Sequence, residues 1–340
     1  MGSIREIADL TGLSVATVSH VINGTRKVSQ ASTDLVMKAI EETGYKPNYA
    51  ARMLRTQRSN TIAMLIPRVE QGMSTNIFFM DVLSGAKDYF QSIGYSMIVA
   101  TYSENDEDDE QDMRDLQVLK KQWMDGVLVV PNKKKYAHLM KIIESSLPFV
   151  LLDRSVTELD CSCVYSDSTK VSREAVELFF RGGKRRIGYI GGSTSFFTGY
   201  DRFSGYREGL ESCGLPLDDA LVVTSGKHTV QAGYLGAQKL VKNGADAIYI
   251  SNDVQTVGAL EFLQSQQLRI PNDVGIIAFE DYEWMTITSP PLTTVRQQPY
   301  KMGWLGAQLL HRKLGDPAFN EKIRLDAELV LRDSHGAGKL

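Results

Sequence analysis

The sequence predicts a small all-α N-terminal head with a helix-turn-helix, followed by an α/β body made of two doubly wound parallel-sheet lobes. Three observations support this. Residues 1–60 carry eight Lys and Arg against five Asp and Glu, whereas the rest carries 30 against 36. Three short helical patterns, separated by turns, fill the first 45 residues. From residue 61 onward, short apolar runs alternate with helical stretches, which is typical of parallel sheets covered on both faces.

Length and composition fit a globular chain of two or three domains. The chain has 340 residues, 43% hydrophobic and 23% charged, with a formal net charge of −3. It contains no apolar run of about 18 residues and no apolar core of a secretory signal. Cys161, Cys163 and Cys213 lack the paired spacing of a zinc site or a disulfide framework. We therefore expect a cytoplasmic protein with no metal, no cofactor and no membrane partner.

The head carries the start and stop signals of three helices. Ser residues precede each helix as caps, the first forms a capping box with a Glu, and Gly residues follow as stops. In chain order these are Ser3 with Glu6, Gly12, Ser14, Ser29 and Gly44. Two short helices joined by a Gly-containing turn and followed by a third form the helix-turn-helix plan. We expect Leu10 and Leu35 on the buried faces of the first and third helices.

The second helix of this plan is the one that enters a major groove of DNA. Apolar residues at its start can touch thymine methyl groups, and His20 and Arg26 can donate to guanine acceptors. The residues predicted to contact DNA from this helix and the following loop are Val15, Ala16, Thr17, Ser19, His20, Asn23, Thr25 and Arg26. From spacing alone, a three-helix bundle without a nucleic-acid partner remains an alternative.

Two segments closely resemble the N-terminal signature of the lactose and galactose repressor (LacI/GalR) family. One runs from Ile4 to Gly24 and contains Gly-Leu-Ser-Val-Ala-Thr-Val-Ser; the other is Gly-Tyr-Lys-Pro-Asn-Tyr-Ala-Ala-Arg-Met-Leu, ending at Leu54. The resemblance continues through most of the chain. It implies a transcription regulator, by family default a repressor, that binds a pseudo-palindromic operator as a homodimer. It also implies a periplasmic-binding-protein-like body with a small-molecule effector.

Residues 48–60 are expected to form a hinge helix and a linker. Pro47 fits a break before a new helix, which would be shorter than the ~12–15 residues that an isolated helix needs. The resemblance implies that this helix orders only when two chains pair over DNA. It also implies that Leu54 then wedges into the minor groove. Arg55 is placed to meet phosphates. Alternatively, Leu54 makes only a small contact under the linker.

The body is expected to contain two series of alternating strands and helices. The first series has strands near 61–67, 95–100, 126–131 and 149–152, and helices near 77–92, 107–122 and 136–146; the second begins at the strand 163–165. The resemblance implies that the segment after residue 292 returns to the first lobe. The predicted domains are 1–47 for DNA binding, 48–60 for the hinge, 61–160 with 293–322 for the first lobe and 161–292 with 323–334 for the second.

Polar residues that follow strands are candidates for the effector site, because ligands of open α/β sheets bind beyond the carboxyl ends of strands. These residues are Asp153, Asp167, Asn252 with Asp253, and Glu280 with Asp281. The run Asp-Arg-Phe-Ser-Gly-Tyr at 201–206 resembles the family's D-R-x-x-G-[FY], whose arginine binds effector, so Arg202 is the strongest candidate. Position in the family's motifs adds Phe79, Thr198, His228 and Gln297. Polar groups with an aromatic suit a sugar or sugar derivative.

Some questions stay open at this point. The family usually has Asp before Asp or Asn where this chain has Glu280-Asp281, so either residue could reach the ligand. The basic run 133–135 could attract an acidic effector or form a solvated turn. A two-lobed sugar-binding protein and a sugar-acting enzyme are the rival interpretations. The helix-turn-helix argues against the first. The absence of dinucleotide, P-loop, zinc-protease and nucleophile-elbow motifs argues against the second, and no catalytic residue is predicted.

Overall fold

The computed structural model describes residues 3–23, 26–45, 58–67, 75–102, 123–131, 142–154, 159–194, 197–225 and 228–336. The predictions for Thr25, Leu54 and Arg55, for the helix at 107–122 and for the basic run 133–135 lie outside these residues. The chain forms two compact units, residues 1–58 and residues 59–340.

The first unit has the three predicted helices, α1 (Ile4–Thr11), α2 (Val15–Asn23) and α3 (Gln30–Thr43). The capping box of α1 is present: Glu6 N donates to Ser3 Oγ, and Ser3 N donates to Glu6 Oε2, both at 3.2 Å. Ser14 Oγ accepts from Thr17 N at 3.1 Å and so caps α2. Left-handed glycines end α1 and α3, as predicted from their positions.

The core of this unit is filled from one stripe on each helix. The buried side chains are Ile7, Ala8, Val18, Val36 and Ala39. Burial of Leu10 and Leu35 was predicted wrongly, because these side chains are 61% and 51% exposed. The inward stripes of α1 and α3 follow the i, i+3, i+4, i+7 spacing from residues 4 and 36, which leaves positions 10 and 35 outside.

The body contains twelve described strands and six described helices. The strands are β1 (Thr61–Pro67), β2 (Ser96–Tyr102), β3 (Gly126–Val129), β4 (Phe149–Asp153), β5 (Cys163–Ser166), β6 (Ile187–Gly192), β7 (Val222–Ser225), β8 (Ala247–Ile250), β9 (Gly275–Phe279), β10 (Thr293–Arg296), β11 (Lys322–Leu325) and β12 (Glu328–Val330). The helices are α4 (Thr75–Ser92), α5 (Ser168–Arg181), α6 (Phe197–Ser212), α7 (Val230–Lys242), α8 (Asp253–Ser265) and α9 (Pro299–Gly315).

The strands form two sheets of six described strands each. The first has the order β11-β5-β4-β3-β1-β2, and the second β12-β10-β9-β8-β6-β7. All pairings within the first sheet are parallel. In the second sheet only the short edge strand β12 runs antiparallel, against β10. Apolar clusters cover both faces of each sheet, as expected for doubly wound lobes.

The sheet topology corrects the predicted lobe boundaries. We expected β5 in the second lobe and β10 in the first, but β5 pairs with β4 and β10 pairs with β9. Most of β11 was also assigned to the second lobe, yet it pairs with β5. A buried apolar strand carries no mark of which sheet it joins, so the sequence could not decide this. The described chain crosses between the sheets after β5, after β10 and after β11.

Glycines let two helix pairs pack backbone against backbone. A Cβ on Gly303 of α9 would overlap the Val82 carbonyl oxygen of α4. In the same way, a Cβ on Gly258 of α8 would overlap the Val230 carbonyl oxygen of α7. The sequence therefore needs Gly at these crossings for the helices to approach so closely.

Candidate functional site

Four neighbouring strands of the second sheet end at one edge and place polar side chains there. In sheet order, Gln297 follows β10, Glu280 follows β9 and Asn252 follows β8, while Arg202 lies in the second turn of α6, the helix after β6. All four were predicted for the effector site. The sheet order, which is not the chain order, brings them side by side.

Arg202 is held in place from two sides and retains an unused donor. Its Nη1 donates to the Ser251 carbonyl oxygen at 2.6 Å, and its guanidinium carbon lies 3.6 Å from the centroid of the Phe279 ring. Its Nη2 lies 3.8 Å from Glu280 Oε1. The Nε is buried and has no hydrogen-bond partner among the described residues. A buried donor of this kind needs an acceptor, which a bound ligand can supply.

Glu280 is the acidic member of this group. Its Oε1 accepts from Gln297 Nε2 at 2.6 Å, and 12% of its side chain is exposed. Burial raises the pKa of Glu280 to about 8; the charge of Arg202 opposes this rise and that of Asp253 adds to it. Most of the Glu280 population is therefore protonated at pH 7. In that form the carboxyl group can donate as well as accept hydrogen bonds.

Asp281, the neighbour of Glu280, forms its hydrogen bonds with other residues, outside the group around Arg202. Its Oδ1 accepts from Thr294 Oγ1 and Arg332 Nη1, both at 2.7 Å, and its Oδ2 accepts from Arg296 Nη2 at 2.7 Å. These bonds lower the pKa of Asp281. Glu280 itself has a positive φ of 72°. Of the two candidates, the structure brings Glu280, and not Asp281, into the group around Arg202.

Two further predicted residues have structural partners. Asp167 caps α5 by accepting from Lys170 N at 2.9 Å, and its other oxygen lies 3.2 Å from Arg324 Nη1. Phe79 is 7% exposed and belongs to the apolar core of the first sheet. The structure does not bring either of them into the group around Arg202.

His228 and Asn252 form a polar pair on the same edge. Asn252 Oδ1 caps α8 by accepting from Gln255 N, while Asn252 Nδ2 lies 3.4 Å from His228 Nδ1. The ring of His228 covers Gly192, where a Cβ would overlap Nε2. Desolvation, followed by the charges of Arg202 and Arg154, lowers the pKa of His228 to about 4. The lowered pKa keeps the ring neutral at pH 7.

Arg154 was missed by the sequence analysis. It follows Asp153 at the end of β4 and is 6% exposed. Its Nη1 donates to the Pro131 carbonyl oxygen at 2.5 Å, and its Nη2 lies 3.3 Å both from Asp153 Oδ2 and from Thr198 Oγ1. Thr198 lies on α6 of the second lobe, so Arg154 joins the two lobes. An Asp-Arg pair directly after an apolar strand was the signal that could have found it.

Each of the two arginines of this region has an acidic side chain next to it. Arg154 and Arg202 face acidic groups at Asp153, Asp201, Asp253 and Glu280, and burial raises the pKa of Asp201 as it does that of Glu280. Gln297 Oε1 is a buried acceptor with no partner among the described residues. Spare donors and acceptors suit a ligand rich in hydroxyl groups. Within the described ranges, no cluster of His, Cys, Asp and Glu could hold a metal ion.

In the first unit, α2 exposes the start of its predicted contact surface. Val15 is 44% exposed and Ala16 is exposed, whereas Thr17, Ser19 and His20 are half-buried. Thr17 Oγ1 lies 2.9 Å from Ser14 Oγ. Arg26 is exposed just behind α2, and the side chain of Asn23 lies outside the described residues. Apolar residues exposed at a helix start are available to base edges.

No described helix is long and apolar enough to cross a membrane.

Comparison with known proteins identifies two matching segments and full-length relatives. Residues 3–48 match "Bacterial regulatory proteins, lacI family", and residues 176–335 match "Periplasmic binding protein-like domain". The chain is 31% identical over 339 residues to the ribose operon repressor of Haemophilus influenzae, covering 98% of both chains. It is 30% identical over 337 residues to the HTH-type transcriptional regulator CelR of Thermobifida fusca, again covering 98% of both.

Solved structures give the same answer for the fold. A complex of the transcriptional regulator CelR with cellobiose is similar with a TM-score of 0.74 and 28% identity, covering 98% of this chain and 100% of that one. The lac repressor dimer bound to operator and an anti-inducer is similar with a TM-score of 0.83 and 21% identity, covering 98% and 99%. The predicted fold, a helix-turn-helix with a two-lobed periplasmic-binding-protein-like body, is confirmed.

Proposed function

Because the chain belongs to the lacI family of bacterial regulatory proteins, we propose that it is a repressor whose operator affinity is set by an uncharged sugar. Like its relatives, it is a DNA-binding transcriptional regulator and not an enzyme. The observation that carries the proposal is the group of Arg202, Glu280 and Gln297. It combines the contact between Arg202 and Glu280 with a buried donor and a buried acceptor that lack partners among the described residues.

The charge of the site supports an uncharged sugar over a sugar phosphate or a sugar acid. Arg154 and Arg202 each have an acidic neighbour within 4 Å. An added phosphate would bring negative charge close to Asp253 and Asp153, whose charges act on Glu280 and would repel the phosphate. A related structure holds cellobiose, and another relative is named a ribose operon repressor. These names support a sugar as the class of effector for this chain.

Operator binding is assigned to α2, the following loop and the hinge. Val15, Ala16 and Arg26 offer exposed apolar and cationic groups to base edges and phosphates. Leu54 and Arg55 keep their proposed roles of minor-groove wedge and phosphate contact on the strength of the family signature. Their binding contribution should differ, since only the phosphate contact weakens as salt rises.

Effector control is proposed to act through the relation between the two lobes. The three crossings allow the lobes to move relative to each other, and the contact of Arg154 with Thr198 links the two lobes. A sugar that contacts both lobes favours one arrangement of them. It can shift operator affinity only by its difference in affinity for the two arrangements.

A homodimer, in the cytoplasm where the operator lies, completes the proposal. The first lobe exposes Ile98 and Val99, at 36% and 47%, on its edge strand β2, and Met80, at 56%, on the neighbouring α4. A hydrophobic strand edge needs a cover, and a two-fold dimer matches a palindrome. Val99→Glu should shift sedimentation from dimer to monomer. Leu217→Glu, at a 44% exposed site on the second lobe, should not.

The function is tested in two steps with the full chain. Selection from a pool of palindromic duplexes should yield a sequence that binds with strong salt dependence. Thermal-shift screening with uncharged sugars, sugar phosphates and sugar acids should then find an uncharged sugar that stabilises the protein and changes operator affinity. Binding to no duplex at any salt concentration would refute the proposal. A response to sugar phosphates alone would refute the effector class.

A further inference from the structure

The carboxylate of Asp125 accepts hydrogen bonds from Ser59 and Asn60, the residues through which the chain enters the body. Asp125 precedes β3, and its Oδ1 accepts from Ser59 N at 2.7 Å and from Ser59 Oγ at 2.9 Å. Its Oδ2 accepts from Asn60 N at 3.0 Å. Ser59 and Asn60 directly precede β1, 66 and 65 positions away in the sequence. Hydrogen bonds to a charged acceptor are stronger than those between neutral groups.

The main chain around this carboxylate ties the starts of three strands together. Asp125 N donates to the Thr61 carbonyl oxygen at 2.8 Å, and Ser96 N donates to the Asn60 carbonyl oxygen at 2.9 Å. Asn60 has a φ of 49°, a left-handed conformation that needs support from its surroundings. The entry turn is thus held to β1, β2 and β3 together.

The second lobe repeats the arrangement at the corresponding place. Asp246 precedes β8 and accepts from Arg185 N at 2.8 Å and from Arg186 N at 3.0 Å, just before β6. Its own N donates to the Arg186 carbonyl oxygen at 3.0 Å. There, the chain that enters comes from α5 and stays within the body. In the first lobe, the chain that enters comes from the DNA-binding unit.

We propose that Asp125 is a positioning residue that couples the body to the DNA-binding unit. This rests on the proposed function. Within one chain, the covalent path between the two compact units passes through Arg58 and Ser59. A movement of the first lobe reaches that path only if Ser59 and Asn60 move with the lobe. Asp125 provides that attachment, whereas Asp246 uses the same chemistry only to hold a strand.

The test compares Asp125→Asn with Asp246→Asn in the full chain. An amide at either place turns a donor toward backbone N–H donors and loses the charge-assisted bonds. Asp125→Asn should weaken operator binding about tenfold, since it frees backbone that must be ordered again on DNA. It should also reduce the effect of the sugar on operator affinity, while sugar affinity stays within about twofold. Asp246→Asn should leave operator affinity and its response to sugar unchanged.

Ser59→Ala serves as a milder variant in case Asp125→Asn does not fold. It removes only the hydroxyl, and should weaken operator binding about two- to threefold. The proposal is overturned if Asp125→Asn and Asp246→Asn change operator binding and its sugar response equally. It is also overturned if Asp125→Asn does not fold and Ser59→Ala binds operator like the wild type. A wild type that binds no duplex would instead refute the proposed function.

Discussion

Arg202 and Glu280 form a pair in which the arginine keeps a buried donor without a partner among the described residues. Their nearest charged atoms are 3.8 Å apart, beyond direct hydrogen-bond distance, and Arg202 Nε lacks a partner among the described residues. The planar fork of an arginine can reach a ligand while remaining on the Phe279 ring. A ligand that fills this gap gains bonds that the unliganded protein leaves unmade.

Replacing Arg202 should therefore separate effector binding from operator binding. Arg202→Lys keeps the charge but loses the fork, so sugar affinity should fall about 10- to 100-fold, as for the loss of one or two hydrogen bonds to a charged group. Isothermal titration calorimetry measures this. Operator affinity without sugar should stay within about twofold. Arg173→Lys, in the surface pair with Glu177, is the matched control and should change neither. Loss of operator binding in Arg202→Lys would contradict the assignment.

Glu280 and Asp281 should affect stability with opposite dependence on pH. The pKa of Glu280 is about 8 in the folded protein, above its ordinary value of 4.5. Stability is therefore lost as pH rises between these values, since the unfolded chain ionises first. The free energy of unfolding of Glu280→Gln, measured by urea unfolding, should rise relative to that of the wild type as pH increases from 5 to 8.

Asp281 has a lowered pKa, so Asp281→Asn should be less stable than the wild type at pH 7. Parallel pH profiles for the wild type and Glu280→Gln would contradict the buried, protonated carboxyl.

At the scale of residues, the sequence predicted the site residues that follow strands or lie in a motif. It did not predict which of two adjacent side chains points into the site. Arg202, Asn252, Glu280 and Gln297 follow strands or lie in a motif, and the structure brings them together. Glu280, which joins the site, has a positive φ that a Glu residue does not signal. That information lies in the backbone and in the partners supplied by distant segments.

At the scale of elements, helix caps and turns were the features that the sequence predicted best. Ser3, Ser14 and Ser29 cap three helices because short polar side chains reach the free N–H groups of a first turn. β7 was not predicted, since this edge strand is half-exposed and lacks a continuous apolar run. The sheet membership of β5 and β10 was predicted wrongly, because pairing depends on residues far away in the chain.

The glycine crossing of α4 and α9 gives a prediction at this scale. Gly303→Ala places a methyl group against the Val82 carbonyl oxygen and should destabilise the protein by about 1–3 kcal/mol. Gly315→Ala, on the same helix, meets no atom within 4 Å and should be neutral or slightly stabilising. Urea unfolding of both variants measures the difference. Equal stability of the two would show that the helices can separate without cost.

At the scale of the whole molecule, the proposed control through the two lobes can be tested at the contact of Arg154 with Thr198. Arg154 is fixed to the first lobe by Pro131 and Asp153, so its reach to Thr198 draws the second lobe toward it. The contact is one hydrogen bond of 3.3 Å. A bond of this kind contributes about 1 kcal/mol, which is enough to bias two arrangements of similar free energy without locking either.

Thr198→Val should shift this balance toward the more open arrangement. The substitution keeps the size of the side chain and removes the acceptor, so the unliganded protein should have a larger radius of gyration in small-angle X-ray scattering. Thr288→Val, whose hydroxyl bonds only within its own loop in the second lobe, is the control. An unchanged scattering curve for Thr198→Val would show that the crossings alone set the lobe arrangement.

The three crossings also bear on how the protein is made at the ribosome. The first lobe needs α9 for its core and β11 for its edge, and the second lobe has β10 next to its edge strand β12. These segments lie between residues 293 and 330, after all the other described strands and helices of the body. During vectorial synthesis, the early strands therefore emerge long before their last partners. The emerging chain stays incomplete in both lobes until residue 330 has been synthesised, which prolongs its exposure to chaperones and to association with other nascent chains.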